Sequence, residues 1–182
     1  KMGLNDPFLI KYSRFLKNAV HGDLGTSYFF KRPALEVILD KLVATLELVF
    51  AAALIIVVVS IPLGVYSAIR PRSFLTKLIM AVSSIGISIP VFLTAIMLMY
   101  LFSIQLGWLP AYGRGETYNL LGWESGFFTW DGIKHLILPA VSLSSIMLPL
   151  FIRLVRSEML EQLSSEYVKF ARAKGLANNK VY

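Results

Sequence analysis

The stretch LVFAAALIIVVVSIPLGVY, Leu48 to Tyr66, contains no charged residue. At 1.5 Å per residue, a helix over these residues would be roughly 28 Å long, which matches the hydrocarbon thickness of a bilayer. Within lipid the backbone polar groups must be satisfied internally, and a helix does so along its own length. The stretch therefore predicts a membrane-spanning helix, with boundaries near residues 45–68.

Two further apolar segments follow along the chain. Leu78 to Ile104 is long enough to cross a bilayer with a tilt, and Pro90 marks the point where a kink is expected. Leu136 to Ile152 is shorter, but Lys134 and Arg153 flank it and can reach the two interfaces. The predicted span boundaries are 77–104 and 134–155. The expected fold class is thus all-α, a polytopic membrane helix bundle with three spanning helices in this chain.

The composition agrees with a membrane protein. Of the 182 residues 56% are hydrophobic and only 16% are charged, with a mean hydropathy of +0.65. The sequence contains no cysteine, and His21 and His135 have no carboxylate at metal-ligand spacing, so neither a metal nor another cofactor is expected. The net charge of +7 suits anionic lipid headgroups. Because no basic patch is interleaved with aromatic residues, nucleic acid is not an expected partner.

Charged residues in the loops predict the orientation. The short loop after the first span carries Arg70, Arg72 and Lys77, whereas the long loop from Ser103 to Gly132 has one basic residue, Arg114. Because basic residues favour the cytoplasm most reliably in short loops, we predict the first loop inside and the second outside. This places residues 1–42 outside as an external, periplasmic segment, although that segment is itself rich in lysine and arginine. The transmembrane domain is then predicted over residues 43–182.

Within the external segment, apolar residues recur at helical spacing between Pro7 and Val20. We expect this helix to lie on the bilayer surface.

A short basic segment follows the third span, EYVKFARAKGL, Glu166 to Leu176. Ser165 can cap a helix, and Gly175 is a natural residue to follow its last turn in the left-handed conformation. Tyr167, Phe170 and Ala171 share one helical face, whereas the charged residues Glu166, Lys169 and Arg172 share another. A helix over about 165–175 with these two faces can dock in the groove of a protein partner or lie on lipid, and the pattern alone does not choose between them.

These residues resemble the membrane subunits of ATP-binding-cassette importers, in particular the oligopeptide and dipeptide permease type. EYVKFARAKG is similar to the cytoplasmic signature loop of that family, with Gly175 matching its fixed glycine and Ala171 and Ala173 matching its small residues. The general signature begins Glu-Ala-Ala, and only the last of these three is kept here, as Ala171. Six other strings carry the similarity: GDLGTSY (22–28), TLEL (45–48), IPLGV (61–65), SIPVF (88–92), LGWLPAYG (106–113) and HLILPA (135–140).

The resemblance implies the fold of a type I importer permease and a multi-pass location in a bacterial or archaeal cytoplasmic membrane. It also implies four kinds of partner: a second permease subunit, cytoplasmic ATPase subunits, an external solute-binding protein and the lipid bilayer. The helix at 165–175 would couple the spans to the ATPase through Glu166, Tyr167, Phe170, Ala171, Ala173 and Gly175. A family member is expected to have helices before Lys1 and after Tyr182, so the chain looks like a fragment.

The chain is not expected to be an enzyme. It has no GxxxxGK[ST] string for nucleotide, and it lacks the HExxH and GxSxG strings of hydrolases. Its expected function is to form part of the translocation pathway for peptides or similar small solutes. The alternative is a non-transport scaffold or anchor that recruits a soluble partner through the same helix.

Three polar residues at membrane depth are candidates for lining that pathway: Glu47, Ser88 and Ser144. The two serines could instead form hydrogen bonds between helices, as serines in membrane helices commonly do. Glu47 could contact the amino group of a substrate, or it could be a structural carboxylate close to Lys41.

Overall fold

A computed structural model describes residues 7–120 and 123–175 of the chain. The predicted external segment and transmembrane domain therefore extend past the described residues at both ends. Within the described residues the architecture is helical, with one small antiparallel hairpin. The elements are α1 (Phe8–Val20), α2 (Ala34–Ile69), α3 (Phe74–Ser88), α4 (Val91–Leu98) with a π-helical continuation (Met99–Gln105), β1 (Tyr118–Leu120), β2 (Trp123–Ser125), α5 (Trp130–Ser164) and α6 (Glu166–Ala173).

Helix α2 is longer than the span predicted within it and begins upstream of the boundary expected at residue 43. Pro33 precedes its first residue, and Glu36 lies in the first turn, where a carboxylate suits the positive end of the helix dipole. Between Lys41 and Arg70 the one charged residue is Glu47. That stretch is about 42 Å long, close to the roughly 40–45 Å of a bilayer with its headgroups.

The second apolar segment breaks into two helices at Ser88–Pro90. Ser73 caps the start of α3 by accepting a hydrogen bond from the Leu75 N–H at 3.3 Å. At the other end, Ile89 is extended (φ −89°, ψ 123°), because the ring of Pro90 disfavours the helical conformation in the residue before it. The axes of the two halves differ by 108°. The expected kink is therefore a complete interruption of the helix.

Helix α5 extends past the predicted third span at both ends. Thr129 caps its start by accepting from the Gly132 N–H at 3.0 Å, and Asp131 adds a carboxylate in the first turn. Pro139 and Pro149 lie inside the helix without ending it. Its last turns carry Arg153 and Arg156, beyond the apolar stretch.

Helices α2 and α5 run parallel. Early in α2, Glu47 accepts a hydrogen bond from the N–H of Gly126, just before α5 begins. Late in α2, Gly64 lies so near Val155 that a Cβ on the glycine would come within 2.6 Å of the Val155 Cβ. We call the end of the bundle near Glu47 the outer end and the end near Val155 the inner end. In the predicted orientation the outer end faces the outside of the cell, and the inner end faces the cytoplasm.

The parallel arrangement decides how the broken segment crosses. By length and composition α2 and α5 can each span a membrane, and α3 with α4 can provide a third span if the pair counts as one. Helix α3 runs antiparallel to α5. Ser84 accepts a hydrogen bond from Arg153, whereas Gly86, which comes later in α3, lies beside Pro149, which comes earlier in α5. The loop after α4 returns to the outer end, where Gly113 approaches His135. The pair therefore makes one net crossing, and the all-α membrane bundle is confirmed.

The contacts between the helices are made mostly by small residues. The small buried residues in the three long segments are Ala52, Ser60, Gly64, Ser67, Ala68, Thr76, Ser83, Gly132, Ala140, Ser142 and Ser144, and the larger ones are Glu47, Ile79, Leu138, Pro149 and Ile152. Small side chains let helix backbones approach closely, which supports packing in lipid where no hydrophobic driving force acts between helices. The large apolar side chains are mostly exposed and face outward from the bundle.

Candidate functional site

Helix α6 follows α5 after a single non-helical residue. Ser165 is extended (φ −64°, ψ 153°), and its Oγ accepts from the Val168 N–H at 3.5 Å, so it caps α6 as predicted. Its own N–H donates to the Gln162 carbonyl at 3.1 Å. One residue, bonded in both directions, therefore joins the two helices.

The two faces of α6 differ as the sequence predicts. Tyr167 and Phe170 are 82% and 59% exposed on one face. On the other face Lys169 forms an ion pair with Glu166 at 2.7 Å. The Lys174 ammonium lies 4.5 Å from the centre of the Phe170 ring, within range of a cation–π interaction. Two large rings are thus held on the surface at the inner end of the bundle.

The end of α6 is shaped by Gly175. Its φ is +81°, which confirms the predicted left-handed conformation. A Cβ added at Gly175 would meet nothing within 4 Å. The position therefore favours glycine because of its backbone conformation and not for lack of space. Ala171 is half-buried and Ala173 is exposed, while the side chain of Arg172 lies outside the described part of the structure.

The helices that carry α6 are tied together at the inner end. Arg153 donates to Ser84 Oγ at 2.8 Å, and the Arg156 guanidinium lies 3.5 Å from Met80 Sδ, so α5 is joined to α3. The turn from α2 to α3 is closed by Thr76, whose hydroxyl donates to the Arg70 carbonyl at 2.8 Å. Arg153 was expected from the sequence only to reach the interface, and the partners of both arginines are 69 or more residues away in the sequence.

The structure does not bring the three pathway candidates together. Glu47 is buried at the outer end, where its carboxylate accepts from Gly126 N–H at 2.9 Å and lies 3.3 Å from Arg114 Nη2. Ser144 is buried and donates to its own helix at Val141 O. Ser88 is exposed beside the break in the second span and donates to Ser84 O at 3.4 Å. The partner of Glu47 is thus Arg114 and not the nearby Lys41.

The loop that Glu47 holds is more ordered than the sequence suggested. Arg114 also donates to the Glu124 carbonyl, and the rings of Phe50 and Phe127 meet edge to face at 6.1 Å. Strands β1 and β2 pair within the loop, with Tyr118 opposite Ser125. We call this set of contacts between α2 and the loop the outer clamp. Sequence reasoning missed it, although Arg114, the one basic residue in an acidic loop, was a signal.

The described residues, 7–120 and 123–175, contain no group of three histidine or acidic side chains able to hold a metal ion. Around His135 the ring Nδ1 lies 2.8 Å from the Asp131 carbonyl, and the Asp131 carboxylate accepts from the Glu116 N–H at 2.9 Å. These contacts belong to the loop and the start of α5, and they serve to attach one to the other.

Comparison with known proteins identifies the family. Residues 60–182, which include α6 and the inner half of the bundle, match the family described as binding-protein-dependent transport system inner membrane component. The chain belongs to this family. The resemblance found in its sequence strings is thereby confirmed, and the chain is part of a multi-pass protein of the cytoplasmic membrane, as the family description and the apolar helices both require.

Individual members of the binding-protein-dependent family are similar over most of the chain. The oligopeptide transport system permease protein AppB of Bacillus subtilis is 41% identical over 100% of the chain, covering 56% of its own length. The dipeptide transport system permease protein DppB of Alkalihalophilus pseudofirmus is 35% identical over 96% of the chain and 56% of its own length. The di/tripeptide transport system permease protein DppB of Pseudomonas aeruginosa is 36% identical over 100% of the chain and 57% of its own length. The chain spans about half the length of these relatives.

Proposed function

We propose that the chain is part of a permease subunit of an ATP-driven importer and forms part of its pathway for peptides or similar small solutes. Family membership and the peptide transport names of the similar permeases support this proposal. In this scheme residues 1–42 are external and residues 43–182 form the transmembrane domain. A second permease subunit completes the pathway, and an external solute-binding protein delivers the solute.

The single observation that carries the coupling role is the exposed apolar face of α6. Tyr167 and Phe170 project from a helix that is one residue from α5, at the inner end of the bundle. A short helix of this kind fits a groove in a soluble partner, with the rings as anchors. Movement of that partner would rotate α6 and, through Ser165, the long helix α5.

In the proposed mechanism the ATPase subunits bind nucleotide, and this chain supplies the mechanical connection. Closure of the two ATPases would displace α6, and the bonds from Arg153 and Arg156 to α3 would carry the displacement to the second span. The break at Ser88–Pro90 allows the outer half of that span to take a different direction from the inner half. The chain would hydrolyse nothing itself.

Cross-linking from α6 tests the proposal. In the assembled importer, with other cysteines removed, Phe170→Cys places a thiol on the apolar face and Lys169→Cys places one on the charged face. The two positions are matched, because the whole Phe170 residue is 59% exposed and the Lys169 side chain is 62% exposed. We expect a short bifunctional reagent to join position 170 to the ATPase subunit in high yield and position 169 in low yield.

A measurement of ATP hydrolysis on the same assembled importer distinguishes the scaffold alternative. An importer requires that external binding protein loaded with peptide stimulates ATP hydrolysis, whereas a scaffold does not. Cross-linking from position 170 without such stimulation would favour the scaffold. No cross-link to the ATPase from either position would reject the docking role of α6.

A further inference from the structure

Helix α1 has an apolar side and a basic side. With 3.6 residues per turn, its large apolar residues except one fall within an arc of about 140°: Phe8, Leu9, Tyr12, Phe15, Leu16 and Val20. Lys11, Arg14 and Lys17 lie on the remaining surface, together with Ile10, the one large apolar exception. No residue of α1 is buried, and the apolar arc is open along the whole helix. A helix of this kind is typical of the plane of the membrane interface.

The chain comes close to the start of α2 just after α1 ends. After α1 the chain turns at Gly22, where a Cβ would lie 3.7 Å from the side chain of Leu35 in the first turn of α2. From Leu35 an exposed apolar stripe runs down one side of α2 through Leu39, Leu42 and Leu46 into the uncharged span. The lipid-facing surface of the span is thus continuous with the place where α1 is attached.

The turn between α1 and α2 adds three exposed rings. Tyr28, Phe29 and Phe30 are 91%, 91% and 55% exposed, and Lys31 and Arg32 follow them directly. The loop is closed by hydrogen bonds from Ser27 N–H to Arg32 O and from Lys31 N–H to Ser27 O, both 2.9 Å long. Because the loop is already held, placing the rings in an interface would cost little ordering entropy. Aromatic rings beside basic residues are the pattern of interfacial belts.

We propose that α1 and the aromatic loop at residues 28–30 form an interfacial anchor. The anchor lies in the headgroup region of the leaflet at the outer end of α2 and prefers anionic phospholipid. The apolar arc of α1 enters the acyl boundary, and Lys17, beside one border of the arc, reaches phosphate groups. Arg14 is about 170° from the middle of the arc, on the opposite side of the helix. This inference is independent of the proposed transport function.

Spin labels on the intact importer in vesicles of phosphatidylethanolamine and phosphatidylglycerol test the anchor. The matched positions are Phe15→Cys on the arc and Ile10→Cys on the polar side, which are 52% and 48% exposed. Oxygen concentrates in lipid, whereas a neutral, water-soluble nickel chelate remains in water. The collision rates of the spin label with these two reagents therefore report the depth of the label in the bilayer. We expect the ratio of oxygen to nickel collisions to exceed unity at position 15 and to invert at position 10.

Two other results would overturn the anchor. Low collision rates of both reagents at position 15 would show that the arc is covered by protein, such as the external binding protein or the second permease subunit. Nickel access at position 15 equal to that at position 10 would show that α1 stands in water.

A second comparison tests whether the basic residues of α1 contribute to lipid binding. Replacing Lys17 by glutamine should move the position-15 label toward water in the anionic vesicles, whereas Arg14→Gln should leave it in place. Equal effects of the two replacements would reject the lipid preference.

Discussion

Glu47 is a carboxylate within the predicted first span, and its environment explains how a charge is tolerated there. It is only 6% exposed, but one oxygen accepts from a backbone N–H and the other lies 3.3 Å from the Arg114 guanidinium. A buried charge with both a counter-ion and a hydrogen bond avoids most of the desolvation cost that an isolated one carries. At the scale of the residue, the main structural role of Glu47 is therefore to attach the outer loop to α2. Its lining of a solute pathway stays a proposal.

Removing the carboxylate should release the outer clamp. We expect Glu47→Ala to lower the free energy of unfolding by about 2–4 kcal/mol, because Arg114 and the Gly126 N–H would lose a buried anionic partner. Limited proteolysis should show faster cleavage between residues 106 and 129, and the apparent Tm in detergent should fall. Asp40→Ala is the matched control, since it breaks an exposed pair with Arg32 worth at most about 1 kcal/mol.

A double-mutant cycle completes this test. With Arg114→Met already in place, Glu47→Ala should cost clearly less than it does alone, because the pair has been broken. Additive losses, or a Glu47→Ala effect as small as that of Asp40→Ala, would contradict the clamp.

Gly175 supports a prediction based on backbone conformation alone. At φ +81° a β-branched side chain is strained by about 1–2 kcal/mol, so Gly175→Val should misdirect the chain after α6. Membrane insertion should be normal while solute uptake falls. Gly175→Asn is the control: asparagine tolerates the left-handed region, and a side chain at this position has open space. Equal uptake by the two variants would show that the conformation is not used.

At the scale of the element, α6 is a short helix that is attached to the bundle through its N-terminal end. Its first turn is capped by Ser165, Glu166 and Lys169 pair with each other on its charged side, and its rings are exposed.

The second span differs from α6 because it is interrupted in the middle. Ile89 and Pro90 interrupt the helical hydrogen bonds, and the bundle retains the two halves at 108° because each packs separately against α5.

The proposed docking of α6 requires a small residue at position 171. Ala171→Trp should obstruct a close interface at a cost of about 1–3 kcal/mol, so ATPase association and stimulated hydrolysis should both decrease. Ala171→Ser keeps the size and should retain both activities. Association is measured by co-purification of the ATPase with the membrane subunit, and hydrolysis in reconstituted vesicles. Unchanged association in the tryptophan variant would indicate that α6 lies on lipid.

At the scale of the whole molecule, the parallel packing of α2 and α5 sets how the ends are arranged. Contacts at Glu47 and at Gly64 fix the outer and inner ends of the same helix pair. The loop with the β-hairpin and the helix α1 therefore lie at one end, and α6 lies at the other. Charge counts suggest which end faces the cytoplasm, although they conflict between the N-terminal segment and the short loop.

Labelling of whole cells decides the orientation. Tyr112 and Arg72 are both exposed, one in the outer loop and one in the short turn after α2. In right-side-out cells we expect Tyr112→Cys to react with a membrane-impermeant maleimide and Arg72→Cys to react only after permeabilisation. Gly115 would be a poor reporter, because a Cβ there would lie 2.6 Å from His135. The reverse reactivity would place α6 outside and end its proposed coupling role.

Much of this structure could be predicted from the sequence, because it depends on local properties. Transfer of apolar side chains into lipid is nearly additive along a segment, so uncharged runs predicted the crossings. The cap at Ser165, the two faces of α6 and the positive φ of Gly175 depend on neighbours within one or two turns.

The tertiary structure decided everything that depends on distant partners. The Glu47–Arg114 pair joins residues 67 apart, and the bonds from α5 to α3 join residues 69 and 76 apart. No periodicity specifies such pairs, because they form only once helices have packed in one particular direction and register. The same holds for the break in the second span: Pro90 predicted a disturbance, but its 108° angle is set by how each half packs on the rest of the bundle. The sequence thus determined which segments are apolar enough to cross the membrane, and packing determined which residues meet.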